Sequence, residues 1–322
     1  MSSVLIAGTR IAGGLALFIL GLFTLRAGLR EQSGPKAERW IARLVRTPIR
    51  GLFTGIGATL VTQSSAAVTV LSMGLVASGL LTFENTIGII LGTNIGSTWT
   101  VGLLTLNLER FGPYVVAIAV AGFLILALQR HRIPRQWPLL RSLCISLAGF
   151  GTLFVGFGIL SDAAGGLLAS HTLRAWLLVA SHQPLLGVAA GTVVTALIGS
   201  SSASTALTLS LAQAGALSLP GAISIVLGNN IGTCVTAVLA SIGGTRPVQR
   251  VAATHVLLNV AGALVFLPFI HPFAAFITRL AHTPGTQVAL AHILFNVICS
   301  LAALPFAGAI ARGIVRLLPE SN

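Results

Sequence analysis

The chain is dominated by long apolar stretches that are separated by short polar or basic loops. Seven of these stretches are about 20 residues long, which is enough for an α-helix to cross roughly 30 Å of hydrocarbon. They lie at residues 6–27, 86–107, 112–130, 141–161, 220–242, 250–270 and 288–312. The pattern therefore predicts an all-α polytopic membrane protein.

Two further apolar stretches, 50–82 and 184–218, are each interrupted in the middle by a run of serines. Each predicts two half-length helices that form a re-entrant helical hairpin, and a single long, broken crossing is the competing interpretation. The positive charges favour hairpins, because 15 of the 19 Lys and Arg residues then fall on one side of the membrane. That side is expected to be cytoplasmic.

The two interrupted stretches repeat one pattern at a constant offset of 136 residues. Residues 55–100 and 191–236 are identical at 18 of 46 aligned positions without a gap. Three upstream residues recur at an offset of 135: Gly14, Gly21 and Leu25 match Gly149, Gly156 and Leu160. The duplication predicts two transmembrane repeats, 1–140 and 141–322.

Each predicted repeat contains one helix, one hairpin and two helices, and the second repeat carries an extra C-terminal helix. The hairpins occupy about 50–82 and about 184–218. Three full crossings per repeat is an odd number, so the second repeat should be inverted relative to the first. Inverted repeats bring the tips of two hairpins together from opposite faces of a membrane.

The composition agrees with a protein whose solvent is lipid. Hydrophobic residues make up 55% of the chain and charged residues 8%, whereas soluble domains carry about 25% charged residues. The net charge of +13 lies mainly in short loops, where it sets orientation. It therefore does not indicate a nucleic-acid partner. We expect a multi-pass protein of the cytoplasmic (inner) membrane that contacts lipid. A homo-oligomer is compatible with this expectation.

Polar, uncharged clusters inside the apolar stretches are the candidates for chemistry. They include Gln63, Ser64, Ser65, Thr93 and Asn94 in the first copy, and Ser200, Ser201, Ser202, Asn229, Asn230 and Thr233 in the second. A helix that is interrupted inside a membrane leaves free N–H groups that suit an anion, and free carbonyls that suit a hard cation. The alternative is that these small residues only allow helices to pack closely.

Charged residues are nearly absent from the predicted crossings, so a site of neutral dipoles is expected. The sequence shows no paired carboxylates for acid–base catalysis and no acid partner for a Ser-His pair. The three cysteines are far apart and favour apolar packing over a metal or redox role. We therefore predict no catalytic residues, no resident cofactor and no enzyme activity.

At these clusters the chain resembles the type II sodium/phosphate cotransporter family. That family carries two Gln-Ser-Ser-Ser motifs, each followed by Gly-x-Asn-Ile-Gly-Thr, in inverted repeats. Two positions depart from the motifs: Ala66 replaces the third Ser of the first, and Gly199 replaces the Gln of the second. We expect a short bacterial-type member without the C-terminal regulatory domain of longer relatives.

The resemblance implies sodium-coupled symport of inorganic phosphate by alternating access. Phosphate would be bound at the hairpin tips by Gln63, Ser64, Ser65, Thr93, Asn94, Ser200, Ser201, Ser202, Asn229 and Asn230. The co-transported sodium would lie among Gln63, Ser65, Thr93, Asn94, Ser201, Asn229, Asn230 and Thr233.

Besides a purely structural or sensor subunit, which predicts binding without flux, two alternatives stay open. The first is a sodium-coupled transporter of another oxyanion or of a small carboxylate. The second is a membrane-embedded lipid-phosphate phosphatase, which would need acids and an arginine near the site for phosphoryl chemistry.

Overall fold

The computed structural model describes residues 2–33, 44–167 and 183–320, and these residues form thirteen α-helices and no β-strand. The first six are α1 (Ser2–Ser33), α2 (Pro48–Thr62), α3 (Ser65–Ala77), α4 (Phe83–Leu104), α5 (Gly112–Leu128) and α6 (Trp137–Leu167). The remaining seven are α7 (Pro184–Ile198), α8 (Ser201–Gln213), α9 (Leu219–Ser241), α10 (Arg246–Phe266), α11 (Ile270–Leu280), α12 (Pro284–Ala303) and α13 (Ala307–Leu317). The predicted all-α fold is confirmed.

Seven helical segments of the described chain are long and apolar enough to cross a membrane. They are Leu5–Leu29, Phe83–Leu104, Glu109–Leu128, Trp137–Ala164, Leu219–Ser241, Arg246–Leu280 and Pro284–Leu317. Each overlaps one of the seven predicted crossings, so the chain is a multi-pass membrane protein. The last two are longer than expected, because short 3-10 turns at Leu267–Phe269 and Leu304–Phe306 continue them into α11 and α13.

The two serine-interrupted stretches each form a pair of short helices. In the first pair, α2 and α4 run in the same direction, because Pro48, Leu52 and Ile56 of α2 face Gly88, Gly92 and Gly96 of α4. At 1.5 Å per residue, α2 followed by α3 in the same direction would end about 40 Å above the start of α2. The five residues between α3 and α4 can span only about 20 Å. α3 must therefore run back toward the level at which α2 begins.

The second pair, α7 and α8, has the same geometry at the same offset. Gly228 of α9 packs against the carbonyl of Val188 just as Gly92 packs against Leu52, and Gly232 packs against Thr192 as Gly96 packs against Ile56. At Gly88 and Gly92 of α4, and at Gly228 and Gly232 of α9, an added Cβ would overlap a backbone carbonyl of the facing helix. Small residues that allow such close approach are the usual contact between membrane helices.

The first helices of the two copies pack against each other and run antiparallel. Gly14 contacts Gly156, which is the counterpart of Gly21. Gly21 in turn contacts Gly149, which is the counterpart of Gly14. Phe18, Phe154 and Phe157 are buried along this contact and extend the core toward α8. Inversion of the second repeat would give this reciprocal packing, and the inversion itself stays a prediction. α6 begins at Trp137, slightly before the boundary proposed between the repeats.

We predict that Gly92→Ala lowers the free energy of unfolding by about 1–3 kcal/mol, because a methyl group there must push α2 away from α4. The matched control is Gly57→Ala on α2, where nothing lies within 4 Å of an added Cβ. That control should be neutral, or stabilising by up to about 1 kcal/mol. Thermal unfolding of the detergent-purified variants measures both. Equal melting temperatures for the two would contradict the close packing of α2 on α4.

Candidate functional site

Each short-helix pair turns at one residue with a left-handed backbone. Gln63 ends α2 with φ 50° and ψ 29°, and Gly199 ends α7 with φ 71° and ψ 14°. The two residues are equivalent at the offset of 136. Glycine adopts this conformation at no steric cost, whereas a residue with a side chain is strained by roughly 1–3 kcal/mol. The Gly199 departure from the sequence motif therefore suits the backbone of the turn.

The serine that follows each turn caps the next helix. The Ser64 hydroxyl accepts a hydrogen bond from the Ala67 N–H at 3.2 Å, and the Ser200 hydroxyl accepts one from the Ala203 N–H at 3.3 Å. The first N–H groups of α3 and α8 have no acceptor inside their own helix, because no carbonyl lies four residues before them. Both helices thus present the positive ends of their dipoles at the turn.

The two helix N-termini open onto one cavity. Its volume is about 40 Å³, room for a few water-sized groups. It is lined by Arg26, Thr59, Gln63, Ser64, Ser65, Ala66, Gly96, Ser97, Thr100, Gly199, Ser200, Ser201, Ser202 and Thr233. Most of these lining residues are serines and threonines, which carry hydroxyl groups. Both copies of the duplicated segment contribute residues to the lining. No acidic residue is among these lining side chains.

Arg26 of α1 is the charged residue of the cavity lining, and it corrects the expectation that the site contains neutral dipoles only. Its Nε donates a hydrogen bond to the Gln63 carbonyl at 2.8 Å, and the side chain is half-buried. Arg26 lies beside the end of the predicted crossing 6–27, and it is counted among the Lys and Arg residues expected on the cytoplasmic side. In the structure α1 continues to Ser33, which places Arg26 within the helix and beside the turn.

The strained Gln63 is fixed by contacts on both its backbone and its side chain. Its Nε2 donates to the Leu60 carbonyl at 2.7 Å, and its Oε1 accepts from the Thr100 hydroxyl at 2.6 Å. Together with the Arg26 bond to its carbonyl, these contacts hold the tip of the first pair against α1 and α4. Backbone strain that the surroundings enforce in this way is typical of functional sites.

The predicted site residues divide into two groups. Seven line the cavity: Gln63, Ser64, Ser65, Ser200, Ser201, Ser202 and Thr233. The other four, Thr93, Asn94, Asn229 and Asn230, do not line it and lie on α4 and α9. Asn94 donates to the Asn259 side chain at 3.3 Å, and Asn230 donates to the Val226 carbonyl at 2.9 Å. Their proposed ligand roles stay predictions.

Four polar or charged residues of the lining were absent from the predicted set. Ser97 is the counterpart of Thr233 at the offset of 136, so the duplication itself was a signal for it. Thr59 and Thr100 also have threonine counterparts, Thr195 and Thr236, in the second copy. Arg26 has no such signal, since only the length of α1 brings it to the cavity.

A protein-family model described as Na+/Pi-cotransporter matches residues 17–162 and 166–303. The two matched segments therefore contain both short-helix pairs, both glycine-asparagine segments and Arg26. No solved structure has a significant match to this chain.

Several curated proteins are similar to the chain. Uncharacterized protein YqeW of Bacillus subtilis is 33% identical over 270 residues, which are 84% of this chain and 85% of that protein. The putative inorganic phosphate export protein YjbB of Salmonella typhimurium is 27% identical over 271 residues, 84% of this chain and 48% of that protein. The chain thus spans about half the length of YjbB. Sodium-dependent phosphate transport protein 2B of Homo sapiens is 35% identical over 134 residues, 38% of this chain and 19% of that protein.

We predict that Gly199→Ala destabilises the protein by about 1 kcal/mol or more through the backbone alone, because φ is 71° and nothing lies within 4 Å of an added Cβ. At the equivalent turn, Gln63→Gly should be more stable than Gln63→Ala by a similar amount, since both variants lose the bond to Thr100. Chemical unfolding in detergent measures both differences. A neutral Gly199→Ala variant would mean that the turn is not left-handed.

Proposed function

Since this chain belongs to the Na+/Pi-cotransporter family, we propose that it carries inorganic phosphate across the membrane together with sodium by alternating access. YjbB and the human relative are phosphate transport proteins by name, and the chain is a transport protein, not an enzyme. Sodium coupling, the residues that hold each ion and the access mechanism belong to the proposal.

The observation that carries the proposal is the electropositive cavity between the two turns. Two helix N-termini, several hydroxyls and the Arg26 guanidinium meet there, and no carboxylate among the lining residues opposes them. A tetrahedral oxyanion needs hydrogen-bond donors on several sides, and backbone N–H groups and a guanidinium supply them. Ser65 and Ser201 would donate from one turn each, so that both copies hold the same anion.

Sodium has an electrostatic role in this scheme. A phosphate dianion carries more negative charge than Arg26 alone can neutralise, and taking the excess charge out of water is costly. A bound cation nearby lowers that cost, which couples the occupancy of the two ions. Because binding linkage is reciprocal, phosphate raises the affinity for sodium by the same factor.

If the second repeat is inverted as predicted, alternating access would follow from an exchange of conformations between the two copies. The reciprocal antiparallel packing of α1 on α6 supports such an exchange, because it is a self-complementary contact between equivalent helices. The ion gradients set the direction of net movement. YjbB is named an export protein, and the human relative a sodium-dependent transporter.

The other functions considered above are separated from phosphate symport by simple assays. Competition by sulfate, arsenate or citrate would identify another oxyanion or a small carboxylate as the substrate. Arg26 gives the phosphatase alternative the arginine that it needs, but the described cavity lining offers no acid for phosphoryl transfer. Release of phosphate from a lipid pyrophosphate would support that alternative.

We predict that labelled phosphate accumulates in proteoliposomes under an inward sodium gradient, and not under an equal potassium gradient. Replacing Ser65 and Ser201 together by Ala should lower the uptake at least tenfold, since one donor is lost from each copy. Empty liposomes are the control. Equal uptake with either cation, or unchanged uptake by the double variant, would refute the proposal.

We predict that Arg26→Gln raises the phosphate KM by about 10- to 100-fold, because a hydrogen bond to a charged group contributes roughly 1.5–3 kcal/mol. Arg26→Lys should have an intermediate effect, since it keeps the charge but loses the planar donor geometry. Arg279→Gln is the matched control, because Arg279 is exposed in the last turn of α11. A KM for Arg26→Gln that equals the control value would remove Arg26 from the anion site.

A further inference from the structure

The two copies differ in how they fill the space between their three helices. In the second copy, this space holds the side-chain amide of Asn229, which is fully buried in α9. In the orientation that satisfies its partners, the amide nitrogen lies within 3.2 Å of the Ile225 and Gly191 carbonyls and the Ser204 and Thr195 hydroxyls. The amide oxygen accepts from the Thr205 hydroxyl at 3.0 Å. An NH₂ group thus occupies a cage of oxygens from α7, α8 and α9.

The first copy has the same helix frame around this space. Gly55 packs against the Ile89 carbonyl as Gly191 packs against that of Ile225, and Gly96 meets the Thr59 side chain as Gly232 meets that of Thr195. At the offset of 136, two threonines are retained: Thr59 corresponds to Thr195, and Thr69 to Thr205. Two positions change: Thr93 replaces Asn229, and Val68 replaces Ser204.

The exchange of Asn229 for Thr93 leaves two hydroxyls of the first copy without a partner. Thr59 is 1% exposed and Thr69 is 0% exposed, and neither Oγ1 makes a hydrogen bond. Their counterparts in the second copy both bond the Asn229 amide. Buried polar groups are almost always paired, so two orphans at equivalent positions indicate a missing occupant.

Thr93 adds a third oxygen to the same space. It is fully buried, and its hydroxyl donates to the Ile90 carbonyl at 2.7 Å, so its lone pairs stay available. The Ile89 carbonyl lies against Gly55 as the Ile225 carbonyl, which bonds the amide nitrogen, lies against Gly191. Apart from Val68, the space is therefore bounded by neutral oxygens, at positions equivalent to those that surround a hydrogen-bond donor in the second copy.

We propose that a sodium ion binds in this cage between α2, α3 and α4, held by the Thr59, Thr69 and Thr93 hydroxyls and adjacent backbone carbonyls. Neutral oxygen ligands suit a hard cation. The absence of a carboxylate among these ligands favours a monovalent ion, because a divalent ion loses far more solvation on burial. The inference rests on the proposed function and gives the cation a position within it.

The cage adjoins the anion cavity. Thr59 belongs to both, since it lines the cavity and its buried Oγ1 has no hydrogen-bond partner. A cation held by Thr59 therefore adds positive charge beside Arg26 at short range, in surroundings where water screens little. This arrangement couples the two ions without direct contact between them.

The test is thermal unfolding of the detergent-purified full chain in NaCl and in KCl at equal ionic strength, without phosphate. Wild-type protein should be stabilised by sodium specifically and saturably. Thr59→Val and Thr69→Val should each raise the sodium concentration for half-maximal stabilisation at least tenfold. In KCl these variants should melt no lower than wild type, because each removes a buried hydroxyl that has no partner.

A second variant imitates the other copy. Thr93→Asn should place its own amide in the cage and abolish the sodium response, as the Asn229 amide does in the second copy. The matched control is Thr195→Val, which loses the bond to Asn229 and should lower the melting temperature in both salts. Its sodium response should stay that of wild type.

The outcomes separate this site from the proposed function. Equal stabilisation by sodium and potassium, or a sodium response that Thr59→Val, Thr69→Val and Thr93→Asn retain, would overturn the cage. If these variants keep the sodium-specific stabilisation while wild-type vesicles accumulate phosphate with sodium, the transport proposal is supported and the sodium site in the cage is refuted. If the variants lose the sodium-specific stabilisation but wild-type vesicles accumulate no phosphate, the sodium site in the cage is supported and the phosphate proposal is refuted.

Discussion

The structure depends on one constraint, which is that every backbone N–H and C=O group inside a membrane needs a partner. α2 and α7 end at left-handed residues in the middle of apolar stretches, so the polar groups at these ends cannot face lipid. The close packing of α2 on α4 and of α7 on α9 covers them with protein. The donors that remain, at the starts of α3 and α8, open onto a cavity that both copies share. In the proposed function, the same groups that would be costly in lipid form the anion site.

Glycine packing determines where this cavity lies. Backbone contacts at Gly92 and Gly228 fix the height of each turn on its neighbouring long helix. The contacts of Gly14 with Gly156 and of Gly21 with Gly149 fix one first helix against the other. α1 passes the first turn close enough for Arg26 to bond the Gln63 carbonyl. A charge that is costly in lipid is thereby placed against a carbonyl acceptor and near hydroxyl groups instead.

Much of this architecture could be predicted from the sequence, because apolar length and the offset of 136 are strong signals. The seven crossings and the two breaks need only hydropathy and the serine runs. The role of Arg26 could not be predicted in this way, since hydropathy does not show that the first turn packs beside the end of the crossing 6–27. The positions of Asn229 and Asn230 could not be predicted either. Both are buried beside the cavity rather than in its lining, and only the packing of α9 on α7 and α8 decides this.

The differences between the two copies are as informative as their identities. A perfectly duplicated chain would carry the same groups at both turns, but an anion and its cation need opposite surroundings. Gly199 relaxes the second turn, while Gln63 keeps a strained turn together with a side chain that bonds Thr100. Asn229 satisfies the hydroxyls around it, while Thr93 leaves those of Thr59 and Thr69 unpaired. In the second copy, the Asn229 amide therefore pairs the hydroxyls around it. The first copy retains unpaired oxygens beside the shared cavity. In the proposed scheme, such a division would let a two-fold frame bind two ions of opposite sign without a buried carboxylate.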